Sequence, residues 1–226
     1  MSMELVASGR DSDVYAYADG LVLRRYRDGR SAQREADTLR AVAGLGYPVP
    51  VVHESTGPDI VMERVDGPTL AEAVIGGLPP DEAGALLADL HDRLHALAWP
   101  AAVPGEALLH LDLHPLNVIL RGSEPVVIDW SNAGPGPAGL DVAMTAVILA
   151  QVVVTDGMLE SVGLDASARP ALARLLEVFA ARVGTPYADR LAAAEALRRQ
   201  DPNQSAAELA VLSRAVDLAA SLARPT

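Results

Sequence analysis

Between positions 110 and 130 the chain reads His110-Leu111-Asp112-Leu113-His114-Pro115-Leu116-Asn117, then a short turn, then Val127-Ile128-Asp129-Trp130. Three side chains that could act as oxygen ligands or bases, Asp112, Asn117 and Asp129, stand around a predicted hairpin, Val118–Leu120 and Pro125–Ile128 about Arg121-Gly122-Ser123. A tight hairpin returns the loop before it and the residue after it to one end of a sheet, so Asn117 and Asp129 can face one hard cation. Magnesium takes few protein oxygens and completes its shell with water and phosphate. Asp112, five residues before Asn117, would lie beside that ion without binding it, placed to accept a proton from a hydroxyl. Such a layout serves phosphoryl transfer, in which catalysis is mostly positioning and charge neutralisation.

Taken singly, each of these residues has a plainer reading, since an aspartate after a buried strand is often a turn or cap residue. The cluster carries the argument. A second polar pattern, His91-Asp92-x-x-His95, imitates a zinc helix, with His110 and His114 as further candidate ligands. Aspartate stands there where a metalloprotease needs glutamate, and the stripe of Leu86, Leu87, Leu90, Leu94 and Leu97 accounts for that helix as core. His110 is expected to pack and orient its loop, and His114 to hydrogen-bond within it.

The elements that must position these groups fall into two patterns. Glu4–Ala7, Val14–Ala18 and Leu21–Tyr26 read as a meander of short strands, with Asp19-Gly20 as a hairpin turn. Ser31 can cap a helix with Ala32, Glu35, Leu39 and Val42 on one side, and Pro50–His53 and Ile60–Arg64 read as two more strands. Asp66-Gly67-Pro68 breaks the pattern, which puts a boundary between residues 1–65 and 66–226. Beyond it the periodicity is helical: Asp81 can cap one helix, Val142–Val154 reads as a buried one, and Ser205-x-x-Glu208 is a capping box opening the last.

Composition narrows the function classes. The 226 residues include no cysteine, which excludes disulfides, thiolate metal sites and cysteine nucleophiles. All 18 basic residues are arginine, so Schiff-base and Walker-lysine chemistry are absent. Of the net charge of −12, residues 51–150 hold −11, from fourteen acids and three arginines. That surface argues against a nucleic-acid partner and suits cations, including a basic small molecule. No signal sequence or membrane span is read, and the cytoplasm is the expected location.

The pattern His-x-Asp-Leu-His-Pro-x-Asn-Val-Ile, followed by Ile-Asp-Trp, resembles the catalytic and metal-binding segments of the aminoglycoside phosphotransferase and choline kinase superfamily, relatives of protein kinases. Asp141-Val142-Ala143 resembles the aspartate motif that braces the catalytic loop in that family. The resemblance runs from about residue 4 to residue 150. It implies an α+β, two-lobed protein-kinase-like fold, with a small antiparallel-sheet lobe carrying one helix and a mostly helical second lobe. It implies ATP or GTP and Mg2+ as cofactors, Asp112 as base, and Asn117 and Asp129 as metal ligands. Residues 8–14 match the phosphate-covering loop, to which Ser12 could add a hydroxyl. Val22 would roof the adenine, and Arg24 stands where the family has its phosphate-binding lysine, paired with Glu35. Arginine keeps that charge but is not equivalent to an ammonium. Met62-Glu63-Arg64-Val65 matches the hinge that reads the base edge, through Glu63 and Val65.

Only eleven residues separate Asp129 from Asp141, too few for a protein kinase's activation and peptide-docking segment, and Leu111 replaces the arginine that would hold a phosphorylated loop. The expected acceptor is therefore a small hydroxyl compound, and a cationic one suits the acidic charge. The competing expectation is a kinase-fold nucleotide- or ligand-binding protein with little or no transfer activity.

Overall fold

The structure, a computed structural model, describes residues 3–9, 11–100, 103–155, 157–161 and 165–224. Its backbone divides into two units, residues 1–67 with 119–133, and residues 68–118 with 134–226.

In the first unit, strands β1 (Leu5–Ser8), β2 (Ser12–Ala18) and β3 (Leu21–Tyr26) precede helix α1 (Gln33–Gly44), and β4 (Val52–Thr56) and β5 (Asp59–Glu63) follow it. The five strands form one antiparallel sheet in the order β1-β2-β3-β5-β4. On β3, alternation sends Val22, Arg24 and Tyr26 to one face, where Val22 and Tyr26 join Ala32, Ala36, Ile60 and Met62 in a buried cluster. Arg25 points the other way, exposed, and pairs with Asp59 on β5. Gly67, at φ +150°, lies so close to Leu120 that a Cβ would stand 2.0 Å from its carbonyl oxygen; only glycine passes there.

The Ser31 hydroxyl stands at the start of α1, where it accepts from the Gln33 N–H at 3.3 Å. Gln33 opens the helix, and Ala32 fills the cap position without a side-chain bond. Ala32 is fully buried and its N–H donates to the Gly57 carbonyl, so packing and the Ser31 hydroxyl fix this end together.

The second unit opens with α2 (Leu70–Ile75), started by a capping box from Thr69 and Glu72, and α3 (Pro80–His95). Asp81 is not the cap of α3. Pro80 is its first residue and lacks the N–H a cap would satisfy, and the Asp81 carboxylate instead takes two bonds from Arg174, at 2.7 and 2.8 Å. Strand β6 (Ala107–Leu109) leads to the loop at 110–114 and a single 3-10 turn at Pro115–Asn117. Then come the hairpin β7 (Val118–Arg121) and β8 (Glu124–Val127), and β9 (Gly134–Gly136), which pairs with β6.

Helix α4 (Ala138–Val154) is apolar around most of its circumference, and every residue from Asp141 to Gln151 is buried. A helix of that kind belongs in the middle of a bundle. It packs against α6 (Arg169–Arg182), α7 (Leu191–Gln200) and α8 (Ala206–Leu222), after a short α5 (Met158–Ser161). Leu87, Leu90 and Leu94 of α3 are fully buried, each worth about 1.5–3 kcal/mol relative to exposure. Ser205 and Glu208 form the capping box that opens α8, at 2.8 and 3.2 Å. No helix among the described residues is long and apolar enough to cross a membrane.

Candidate active site

In the first unit the polar centre is Arg24. It lies on the buried face of β3 and spends each edge of its guanidinium on a different partner. Nε donates to Ser12 Oγ at 2.8 Å, Nη1 to Glu35 Oε1, and Nη2 to Asp129 Oδ1 at 2.7 Å. The four residues come from β2, β3, α1 and the segment after β8. Burial opposes the charge on Arg24, but Asp129 and Glu35 outweigh it and raise its pKa further. Burial pushes the Glu35 carboxyl above the usual range, against the pull of Arg24 and of the Tyr26 hydroxyl that donates to it. Glu35 also accepts from the backbone N–H of Trp130 at 3.1 Å, which ties α1 to the residue following Asp129. Asp129 itself has φ +63°, a left-handed conformation that aspartate tolerates better than most residues, and accepts from Ser131 Oγ at 3.0 Å.

Val22 is buried beside Arg24. At the end of β5 the N–H of Glu63 donates to Val51 O and that of Arg64 to Gly20 O, while the Glu63 carboxylate accepts from Arg121 at 2.6 Å. Val65 is half-buried in the irregular segment beyond the strand. Arg10, in the segment compared with a phosphate-covering loop, lies outside the described residues.

In the second unit the structure brings Asp112, His114 and Asn117 together. Asn117 Nδ2 donates to the backbone carbonyl of Asp112 at 2.8 Å and to its carboxylate at 3.3 Å. His114 Nδ1 accepts from the Leu116 N–H at 3.3 Å, and its Nε2 lies 3.5 Å from Asp112 Oδ1. His110 is fully buried and its Nδ1 accepts from the Asp112 N–H at 3.3 Å. Leu111, just before Asp112, has φ +64°. A leucine reaches that region at a cost of ~1–2 kcal/mol. The Asp141 carboxylate meets it there, accepting from the Leu111 N–H at 2.6 Å and the His110 N–H at 3.2 Å. Burial would raise the Asp141 pKa, but His91 and His95 overcome that and hold the carboxyl far below its ordinary value.

Asp129 offers a carboxylate and Asn117 an amide oxygen, and each is a hard donor of the kind magnesium selects. The zinc-like histidines are divided differently from the sequence pattern. His91 and His95 gather on Asp141, whereas His110 and His114 belong to the loop around Asp112. Sequence reasoning missed the bond from Arg24 to Asp129, 105 residues away, and the approach of Tyr26 to Glu35. The alternation Val22, Arg24, Tyr26 held the only signal for the second.

The profile of the phosphotransferase enzyme family (APH) matches residues 2–107 and 93–178, most of the chain. The chain belongs to that family. It is similar to the crystal structure of aminoglycoside phosphotransferase APH(2'')-Ib with ADP bound, at 14% identity and a TM-score of 0.61, over 98% of this chain and 94% of that one. It is also similar to the Plasmodium vivax ethanolamine kinase, at 12% identity and a TM-score of 0.59, over 97% and 82%. At these identities the likeness is one of fold. Among curated proteins, the EKC/KEOPS complex subunit BUD32 of Encephalitozoon cuniculi (strain GB-M1) is 36% identical over 106 residues, 46% of this chain and 47% of that protein. The match thus spans about half the length of this curated relative.

Proposed function

We propose that this chain is a small-molecule kinase that moves the γ-phosphoryl group of ATP or GTP to a hydroxyl of its acceptor. Asp112 accepts the hydroxyl proton. Asn117 and Asp129 are the residues that would hold Mg2+, which when bound neutralises charge on the phosphates. Arg24, oriented by Glu35, contacts phosphate oxygens. Ser12 serves the phosphate-covering segment, Val22 packs over the base, and the Glu63 carbonyl and Val65 N–H read its edge. Nucleotide use is supported by the similarity to an ADP-bound phosphotransferase. An acceptor carrying positive charge suits the excess of acids in residues 51–150.

The observation that carries this reading is the loop around Asp112. Asn117 grips Asp112 through two bonds, and Asp141 holds the backbone just before it in a conformation leucine avoids. A carboxylate held this firmly is pre-organised to take a proton, and positioning is the chief part of phosphoryl-transfer catalysis. The test is a mass-spectrometric screen of hydroxylated amines, with neutral and anionic alcohols as controls, for gain of a phosphoryl group in the presence of MgATP or MgGTP. Phosphorylated product formed by the native chain and lost in Asp112→Asn supports the proposal. Turnover of anionic acceptors alone would remove the cationic part of it.

A second reading has its own observation. Arg24 is bonded to Asp129, the carboxylate that the first reading gives to magnesium. A nucleotide-binding protein with little transfer activity would tolerate that bond, and BUD32 is described as a subunit of a complex. Nucleotide binding without any product from the screen would favour this reading.

A further inference from the structure

Asp112 lies between two residues whose backbones are held from α4, and each holder is itself held from α3. On one side Asp141 accepts from the Leu111 N–H at 2.6 Å, and His95 Nε2 stands 3.0 Å from the same carboxylate. On the other side Thr145, also buried, donates its hydroxyl to the Leu113 carbonyl at 2.7 Å, and His91 Nε2 stands 3.0 Å from that hydroxyl.

The direction of every bond follows from proton counting. A hydroxyl has one proton, and a carbonyl can only accept, so the proton of Thr145 is committed to Leu113. His91 Nε2 must therefore be the donor to Thr145. An ionised carboxylate also only accepts, so His95 Nε2 must be the donor to Asp141. Both Nδ1 atoms are buried with no hydrogen-bond partner in the structure, and that of His91 faces the Asp141 carboxylate at 3.6 Å. The spacing repeats the logic. His91 and His95 are one turn apart on α3, as Asp141 and Thr145 are on α4, so the pairs meet as two successive rungs.

We infer that His91, His95, Asp141 and Thr145 form a two-rung clamp, in which the two histidines are positioning residues for Asp112. The inference rests on the reading of Asp112 as the base. One rung fixes the N–H before Asp112 and the other the carbonyl after it, so the carboxylate between them cannot drift. The same three residues, His91, His95 and Asp141, are close enough together to suggest a metal site. With its proton on Nε2, His95 meets the carboxylate as a donor, so a metal there would first have to displace that proton.

The experiment combines amide hydrogen exchange with kinetics on the full chain. Thr145→Val and His95→Leu each remove one rung; Thr145→Ser and His95→Gln keep a hydroxyl and an Nε2 donor respectively. In the native chain the Leu111 amide should be protected. Both rung-removing variants should raise exchange in the peptide 107–118 at least tenfold, while a peptide of α6 stays unchanged, and the conservative variants should restore protection. Hydrolysis of MgATP, with water as acceptor, should fall about 10–100-fold in kcat in Thr145→Val, with KM for ATP within about twofold, and recover in Thr145→Ser. Unchanged exchange, exchange raised equally throughout, or an equal rise in KM would overturn the clamp. So would zinc that raises Tm of the native chain but not of His95→Leu. Protection at Leu111 that is lost in the variants, in a native chain with no turnover at all, would sustain the clamp and sink the kinase reading instead.

Discussion

Replacing Arg24 by lysine tests whether the forked head, rather than the charge, holds the first unit together. The guanidinium reaches Ser12, Glu35 and Asp129 from three separate nitrogens. An ammonium is a single point on a flexible stem and cannot serve all three. Kept against Glu35, it forfeits the bond to Ser12, worth about 1 kcal/mol, and the charged bond to Asp129, worth ~1.5–3 kcal/mol. The Asp129 side chain is 37% exposed, so the lower part of that range applies. The sum is about 3 kcal/mol. For a chain of this size each kcal/mol moves Tm by ~2–4 °C, so Arg24→Lys should melt ~6–12 °C below the native chain. Arg24→Ala should lose more, because it leaves buried Glu35 with no counter-charge, a change that typically costs ~3–5 kcal/mol. Differential scanning calorimetry decides the matter. A lysine variant within 2 °C of native, or more stable than it, would refute the argument from the fork.

Other expectations follow from the same contacts. Asp112→Ala should lower kcat far more than it weakens nucleotide binding, and parallel losses in turnover assays and ATP titrations would contradict its assignment as base. Asp141 is an acid held below its ordinary value, so its contribution to stability is complete above about pH 4 and is lost as pH falls further. Denaturant unfolding of Asp141→Asn should therefore show a shallower acid limb than the native chain below about pH 4, by at most ~1.4 kcal/mol per pH unit. Gly84→Ala should destabilise by about 2 kcal/mol and lower Tm by ~4–8 °C, since its new methyl would sit 2.7 Å from the Leu175 carbonyl and 2.8 Å from Val178 Cβ on α6.

Much of the architecture was legible because local rules and tertiary packing agree. Strand β3 runs over Leu21–Tyr26, the bounds that its alternation and the Asp19-Gly20 turn predict, both being local signals. The capping box of α8 and the buried run of α4 were legible for the same reason. The failures lie where a local signal was overruled. Asp81 is a good capping residue, yet the ring of Pro80 sets the start of α3. The polar clusters divide in the same way. Asp112 and Asn117 are five residues apart and recognisable together, but Arg24 meets Asp129 across 105 residues, which no spacing rule contains. The two histidines of α3 carried a real signal at i, i+4, and only the fold shows that they turn toward Asp141 and Thr145.

Nucleotide and metal binding are tested most simply by thermal unfolding with ATP or GTP, with and without magnesium, on the native chain and on Asp129→Ala. A nucleotide at a hundred times its dissociation constant should stabilise the native chain by ~2.7 kcal/mol. The shift should require magnesium and be lost in Asp129→Ala, measured against each chain's own Tm without ligand. Absence of a shift with either nucleotide, or a magnesium-dependent shift of equal size in the variant, would contradict this reading of the site.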